Sequence, residues 1–236
     1  MFTKRPLPFS DFLNSLQTFD ILLMHGLHAS SLAVETVEGA NWSHSAIVVV
    51  AGDLNLPGIH PETRLLWESN TQDPIDDVIL NVSKQGPQLT RLYDRIVYNT
   101  SVKYDSDVAA RKLYLPQPIT QHQIAILEAV IKETHSANFP QEGGPGMEEM
   151  MNFIIGRFKN LPVTDNTFFC SQLVAHTYKA LGLLTQAYVD NSYAPLDFSE
   201  KLDVSLLTGW LGREIMLDTK TIPLWNPNAH DSASGS

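Results

Sequence analysis

The sequence predicts an α+β fold in which a mostly antiparallel sheet packs against helices. Up to about residue 115, short apolar runs rich in β-branched residues are bounded by turn-forming residues, a pattern typical of strands. From Thr120, apolar residues recur instead at helical spacing. Two adjacent strand candidates resemble a hairpin, and hairpins pair strands antiparallel, so we expect an antiparallel sheet.

The first half of the chain holds five strand candidates and two helix candidates. The clearest strand pattern is HSAIVVVAG at 44–52, closed by Gly52 and Asp53 as a turn signal. Ser10 is a candidate cap for the first helix, and Gly39 ends the second. The other predicted elements are helices at 11–18 and 30–39 and strands at 19–24, 63–69, 88–99 and 108–115.

Helical patterns occupy the second half of the chain. Thr120 and Gln123 form a capping-box pattern at the start of one helix. Two more helices are predicted at 147–158 and 168–181, the second stopped by Gly182. The glycine-rich loop at 140–146 either closes over a substrate or serves as a plain connection. We expect one domain over 1–224 and a disordered tail over 225–236.

Charge and hydropathy exclude several classes of partner. The net charge of −10 and the pI near 5.1 disfavour a nucleic-acid or anionic-membrane surface, because phosphate groups are bound by clustered Lys and Arg. No apolar run is long enough for a membrane-spanning helix, and the N-terminus lacks the apolar run of a secretory signal. We therefore expect a cytoplasmic protein without an integral membrane segment, of undetermined oligomeric state.

Metal and cofactor sites are not predicted. A single cysteine forms no intramolecular disulfide and excludes zinc sites that need two thiolates. His25 and His28 lack a carboxylate at a matching spacing and are expected to be loop or cleft residues. The calcium-loop pattern is absent around the nearby acidic residues, so a solvated loop is predicted there; these residues are Asp73, Asp76 and Asp77.

Cys170, the only cysteine, is a candidate nucleophile. If Thr167 caps the third helix, Cys170 takes the third helical position, where free backbone N–H groups and the helix dipole favour a thiolate. The alternative is a buried core cysteine, because Cys170 shares a helical face with apolar residues. Those neighbours are Leu173, Val174, Thr177, Tyr178 and Leu181.

His44 and Glu68 are candidate partners of the thiol. A hairpin folded about positions 56 and 57 places them directly opposite each other on adjacent strands. An imidazole takes the thiol proton, and a carboxylate on its other nitrogen fixes the tautomer. The alternative is an ordinary cross-strand contact on a surface hairpin. Leu66 shares a strand face with Glu68, which favours partial burial of the carboxylate.

Four short motifs in order resemble the permuted papain-fold amidases of the YiiX/YaeF type, which belong to the NlpC-like thiol hydrolases. The motifs are D-I-L-L at 20–23, S-H-S-A-I-V at 43–48, E-S at 68–69 and C-S-Q-L-V at 170–174. The likeness spans roughly residues 19 to 185. Two positions depart from the family pattern: Ala46 replaces a glycine, and Gln172 replaces an acidic residue.

The resemblance implies a circularly permuted papain-like fold with Cys170, His44 and Glu68 as catalytic residues. It implies a cysteine-dependent amidase or peptidase that forms a thioester with a peptide, isopeptide or cell-wall amide. Two alternatives stay open: a lipid-directed thiol acyltransferase or phospholipase, as in the lecithin:retinol acyltransferase-like relatives, and an inactive binding module of the same fold. The expected substrates are accordingly a peptide, a protein or an acyl lipid.

The oxyanion of such a reaction needs hydrogen-bond donors. The backbone N–H of Cys170 is the donor we expect, because amides at a helix start point toward a developing negative charge. Tyr98, Tyr104 and Gln172 are side-chain candidates among which the sequence does not decide.

Overall fold

The computed structural model describes residues 5–25, 42–71, 73–101, 107–138 and 167–224. The strands within these ranges are β1 (Ile21–Met24), β2 (His44–Val50), β3 (Arg64–Asn70), β4 (Asp76–Asp77), β5 (Val82–Ser83), β6 (Gly86–Arg91), β7 (Val108–Tyr114) and β8 (Trp210–Met216). The helices are α1 (Phe9–Ser15), α2 (Ala51–Leu54), α3 (Leu92–Ser101), α4 (Gln121–Thr134) and α5 (Cys170–Ala180). Short 3-10 turns lie at Asp190–Ser192, Pro195–Phe198 and Thr219–Thr221.

Six of these strands form one sheet in the order β6-β3-β2-β1-β7-β8. Every neighbouring pair in it runs antiparallel. The strands β4 and β5 make a separate two-stranded hairpin. The predicted α+β class with an antiparallel sheet is therefore confirmed.

Both faces of the sheet are buried, each against its own helices. On one face, Ile47 and Trp67 belong to an apolar cluster that includes residues of α4 and α5. On the other, Val48 and Leu66 belong to a second cluster with residues of α1 and α3. Successive side chains of a strand point to opposite faces, so the apolar residues at successive positions in the middle of β2 and β3 bury both faces. This is why their sequences lack the alternation of a half-exposed strand.

The predicted strand at 88–99 is wrong in its second half. The strand ends at Arg91, and α3 begins at Leu92. Leu92, Ile96 and Val97 are buried in the cluster that α3 shares with α1. Their spacing is that of a helix face, which the run of β-branched and aromatic residues in this segment obscures.

Other predicted boundaries are close to the observed ones. The first helix begins at Phe9 after Pro8, so Ser10 lies inside it and is not its cap. The capping box of Thr120 and Gln123 is confirmed at the start of α4. Gly182 follows α5 with a φ of +71°, a conformation that favours glycine, and the helix ends as predicted.

The C-terminal part of the sheet was not predicted. The edge strand β8 pairs with β7, and its mix of glycine, charged and apolar residues gives no clear strand pattern. Arg111 of β7 binds both β8 and the segment that precedes it. Its buried guanidinium pairs with Asp203 at 2.6 Å. It also donates hydrogen bonds of 2.6–3.1 Å to the carbonyl oxygens of Phe198, Ser199, Leu211 and Gly212.

Several predicted features lie outside the described residues. They are His28, Tyr104, the helices at 30–39 and 147–158, the loop at 140–146 and the tail at 225–236. Among the residues that the structure describes, no helix combines the length and apolar character needed to cross a membrane.

Candidate active site

Cys170 is the first residue of α5, not the third helical residue as predicted. Phe169 is the extended residue before the helix, and its N–H donates to the side-chain oxygen of Gln172 at 3.2 Å. Thr167 cannot be the cap, because it forms a β-bridge with Asn138 and is still extended chain. Cys170 nevertheless lies in the first turn, where backbone N–H groups have no partner within the helix.

The thiol lies at the edge of the core. Cys170 is partly exposed, whereas Leu173, Val174 and Tyr178 further along α5 are buried in the cluster against the sheet. The helix thus places its apolar side chains under the sheet and its first residue beside the beginning of β2. The position suits a reactive thiol better than a core thiol.

His44 and Glu68 are hydrogen-bonded, with 2.9 Å between Nε2 of the imidazole and Oε2 of the carboxylate. They are not directly opposite each other as predicted. Ile47 pairs with Trp67, so the register differs from the predicted one by two residues. Because side chains alternate with a period of two, this shift leaves both residues on the same face, in diagonal positions.

Cys170 also lies next to the His44 ring. The thiol interacts with this ring through charge and a hydrogen bond, while Nε2 of the ring faces Glu68. The backbone N–H groups of Ser45 and Ser171 also contact the sulfur. The carbonyl oxygen of Ser43 lies 3.9 Å from it. His44 therefore interacts with both Glu68 and Cys170, and the three residues singled out from the sequence form one connected group.

The charges of Cys170, His44 and Glu68 shift one another's pKa values toward the charged forms. Burial alone would raise the pKa of the Cys170 thiol, but the His44 charge, its hydrogen bond and the backbone N–H groups of Ser45 and Ser171 together lower it. Burial would lower the pKa of His44, but the neighbouring Cys170 and Glu68 anions raise it to about 9. Each of the two groups therefore favours the charged form of the other.

Glu68 is fully buried and has cationic and neutral donors on its second oxygen. Its Oε1 accepts hydrogen bonds from Arg95 Nε at 2.6 Å and from Thr90 Oγ1 at 2.9 Å. Burial would raise the pKa of Glu68, but the Arg95 charge and the His44 hydrogen bond lower it to about 2. Arg95 is itself fully buried and forms a second ion pair with Asp73.

Strand β3 connects the carboxylate with the cysteine helix. Glu68 points to the α3 face, and its two neighbours in sequence bond to the segment of α5 on the other face. Ser69 Oγ donates to the Phe168 carbonyl at 2.6 Å, two residues before Cys170. Trp67 Nε1 donates to Thr177 Oγ1 at 3.3 Å.

Sequence reasoning missed Arg95, Thr90 and Ser69. Arg95 stood within the wrongly predicted strand, and helical spacing from Leu92 and Ile96 would have placed it near the buried face of α3. Ser69 belongs to the E-S motif, but no role was predicted for it or for Thr90, because their contacts depend on strand register.

The prediction that the acidic residues after β3 form a solvated loop is wrong for two of the three. Asp73 forms the ion pair with Arg95. Asp77 is fully buried, bonds the Leu89 N–H at 2.8 Å and lies 3.0 Å from His135 Nε2. Only Asp76 is exposed. Buried carboxylates require such partners, and the partners come from elements far along the chain.

The remaining candidates take other places. Gln172 bonds the Phe169 N–H and so helps to start α5. Tyr98 lies half-buried on α3, and the backbone N–H of His25 bonds the Asp107 carbonyl at the end of β1. Among the described residues, no group of three or more His, Cys, Asp or Glu side chains is arranged to hold a metal ion.

Comparison with known proteins finds a weak similarity between this chain and a solved structure. No family model and no curated protein matches this chain. A crystal structure described as metalloprotein yiiX from Escherichia coli is similar with a TM-score of 0.44 and 14% identity, covering 85% of this chain and 96% of that chain. A similarity at this level assigns neither a family nor an activity, so the chemistry must be inferred from the geometry of the site.

Proposed function

We propose that the protein is a cysteine hydrolase in which Cys170 is the nucleophile, His44 the general base and acid, and Glu68 the residue that orients the imidazole. The observation that carries this proposal is the imidazole between a thiol at a helix start and a fully buried carboxylate. A nucleophile, a base within hydrogen-bond reach and a third group that orients the base are what nucleophilic catalysis requires.

The proposed reaction is acyl transfer through a thioester. The Cys170 thiolate attacks the carbonyl carbon of an amide and forms a tetrahedral oxyanion. The C–N bond then breaks, and His44 gives its proton to the leaving amine. Water, deprotonated by His44, next attacks the thioester carbon, which releases the carboxylic acid and regenerates the thiol. The backbone N–H of Cys170 is the proposed oxyanion donor, because an amide at the first helical position has no partner within the helix.

The same thiolate would serve an amide or a lipid ester. We propose an amide of the peptide, isopeptide or cell-wall type, as the resemblance of the four motifs to the permuted papain-fold amidases implies. A lipid-directed acyltransferase or phospholipase would use the same first step with an ester in place of the amide. Assays with an acylated peptide and with a phospholipid ester in parallel decide between these substrates, because only one should give a thioester on Cys170.

Thiol reactivity tests the proposal before any substrate is known. Iodoacetamide should label Cys170 about tenfold faster at pH 7 than it labels a free cysteine of ordinary pKa, because only the thiolate reacts. His44→Ala should abolish this advantage, since the imidazolium that stabilises the thiolate is lost. Mass spectrometry of the alkylated protein over time measures both rates.

His176→Ala is the matched control, because His176 lies on the same helix but pairs with Asp190 at 2.7 Å. It should leave the labelling rate unchanged. A wild-type thiol that reacts no faster than free cysteine would refute the hydrolase and favour an inactive binding module.

A further inference from the structure

Arg95 contacts Glu68 on the side of the carboxylate away from His44 and Cys170. Its Nε donates to Glu68 at 2.6 Å, and its Nη1 pairs with Asp73. Together the five side chains form a line in which the charge alternates in sign: thiolate, imidazolium, carboxylate, guanidinium and carboxylate. The line runs from the start of α5, across β2 and β3, to α3 and the loop after β3.

We propose that Arg95 is a positioning residue, which holds Glu68 ionised with Oε2 directed at His44. The inference rests on the proposed function and names a further residue on which its chemistry depends. Arg95 does not touch the reacting atoms and acts through Glu68 alone.

The division of the carboxylate oxygens supports this role. Arg95 and Thr90 both donate to Oε1, which leaves Oε2 for the imidazole. A fully buried carboxylate with a single partner tends to take up a proton, because its charge is poorly compensated. A protonated Glu68 would no longer stabilise the imidazolium, and the thiolate would lose its counterion. A guanidinium is always charged and planar, so it fixes both the charge and the orientation of the carboxylate.

Asp73 balances the charge of Arg95. An uncompensated guanidinium so close to Glu68 would also repel the imidazolium beyond it. Asp73, whose side chain is 13% exposed, lies on the outer side of Arg95 and offsets this charge. His44 therefore faces the negative charge of Glu68, while the positive charge of Arg95 is offset by Asp73.

A purely structural role explains Arg95 less well. Within the described part of the chain, its buried Nη2 has no hydrogen-bond partner. A buried donor without a partner is unfavourable, and buried ion pairs can often be replaced by apolar side chains without loss of stability. A buried arginine with an unpaired nitrogen is therefore better explained by its effect on Glu68 than by a contribution to stability.

The test is the pH dependence of Cys170 alkylation in Arg95 variants, with thermal unfolding recorded in parallel. Arg95→Met should lower the labelling rate at pH 7 about tenfold and move the rise of the rate to higher pH. Glu68→Gln should do the same, and the Glu68→Gln, Arg95→Met double variant should react no more slowly than Glu68→Gln alone. Arg95→Lys, which keeps the charge, should stay closer to wild type than Arg95→Met.

Thr90→Val is the matched control, because it removes a neutral hydrogen bond to the same oxygen and should give a smaller shift. Arg95→Met overturns the proposal if it lowers the unfolding temperature but leaves the profile in place, or if its effect adds to that of Glu68→Gln. Should Arg95→Met not fold, Glu68→Gln against the double variant decides, equal rates supporting and a slower double variant overturning it. Failure of the proposed function is different, since wild type itself would then react like free cysteine.

Discussion

At the scale of the residue, two buried carboxylates in this molecule show how partners set the charge state. Glu68 has two cationic partners, and its pKa falls to about 2 despite full burial. Asp20 is also buried, but backbone N–H groups of Gln17 and Leu113 and the charge of Lys112 only partly offset the effect of burial, and its pKa rises to about 6. Burial alone therefore does not determine which carboxyl is ionised at neutral pH.

The charge of Glu68 should be visible in the titration of His44. In wild type, the His44 ring should lose its proton near pH 9, followed by NMR and assigned by its absence in His44→Ala. Glu68→Gln keeps the shape of the side chain but removes its charge, so the midpoint should fall by roughly one unit or more. The pKa of His44 falls because the Glu68 anion stabilises the protonated ring, and without this anion the proton leaves at lower pH.

The same shift predicts the form of a pH profile for hydrolysis. Activity should require the ion pair, which exists above the lowered pKa of the thiol and below about pH 9. In Glu68→Gln both limbs should move inward. An unchanged His44 midpoint in that variant would contradict the role given to the carboxylate.

At the scale of the element, β3 is the strand that assembles the site. Its alternating side chains serve both faces of the sheet: Glu68 faces α3, and Trp67 and Ser69 bond to the α5 side. One residue of slip in its pairing would exchange these faces and disperse the site. The register of β3 is thus a condition of the chemistry as well as of the core.

Removing the Ser69 hydroxyl tests this coupling. Ser69→Ala leaves the Phe168 carbonyl without its 2.6 Å hydrogen bond, and Cys170 follows two residues later. We expect a loss of labelling rate of about tenfold, because small displacements of a nucleophile are costly. The pH midpoint should stay in place, since no charge changes.

Thr177→Val is the control for Ser69→Ala, because it removes the partner of Trp67 in the middle of the same helix. It should cost about 1–2 kcal/mol of unfolding free energy but leave the labelling rate unchanged. Equal effects of the two variants on the rate would mean that the hydroxyl of Ser69 has no special part in placing the thiol.

The sequence allowed some of these features to be predicted, and the limits have physical reasons. The apolar runs of β2 and β3 and the capping box of α4 are local, so strand and helix were predicted within a residue or two. His44 and Glu68 were predicted to meet, although the register differed by two residues, because an even shift preserves the face. Arg95 was missed because its helix was predicted as a strand, and Thr90 because its contact depends on the pairing of β3 with β6.

At the scale of the whole molecule, the chain beyond α5 completes the sheet. Strand β8 is the last strand of the order. Arg111 of β7 binds two carbonyl oxygens of β8 and, in the segment before β8, two further carbonyl oxygens and Asp203. Sequence reasoning gave this part of the chain no role, because a single buried arginine has no local pattern. The permuted papain-like arrangement of the whole fold stays a prediction.

Arg111→Met should destabilise the protein by about 3–5 kcal/mol, because it leaves several buried acceptors unpaired. Urea unfolding measures the loss. Arg213→Met is the control, since Arg213 is 83% exposed and 3.9 Å from Glu200, and should cost less than about 1 kcal/mol. Comparable losses for the two arginines would contradict the fastening role of Arg111.

The single cysteine at the start of α5 has a practical consequence. In most proteins a buried thiol is protected by the native state and reacts when the chain opens. Here the proposed ion pair reverses that relation, because the unfolded chain would carry a thiol of ordinary pKa that reacts more slowly at neutral pH. Slower labelling would then indicate unfolding. The amount of alkylated protein, measured as one chromatographic peak, would report both the folded fraction and the thiolate fraction of Cys170.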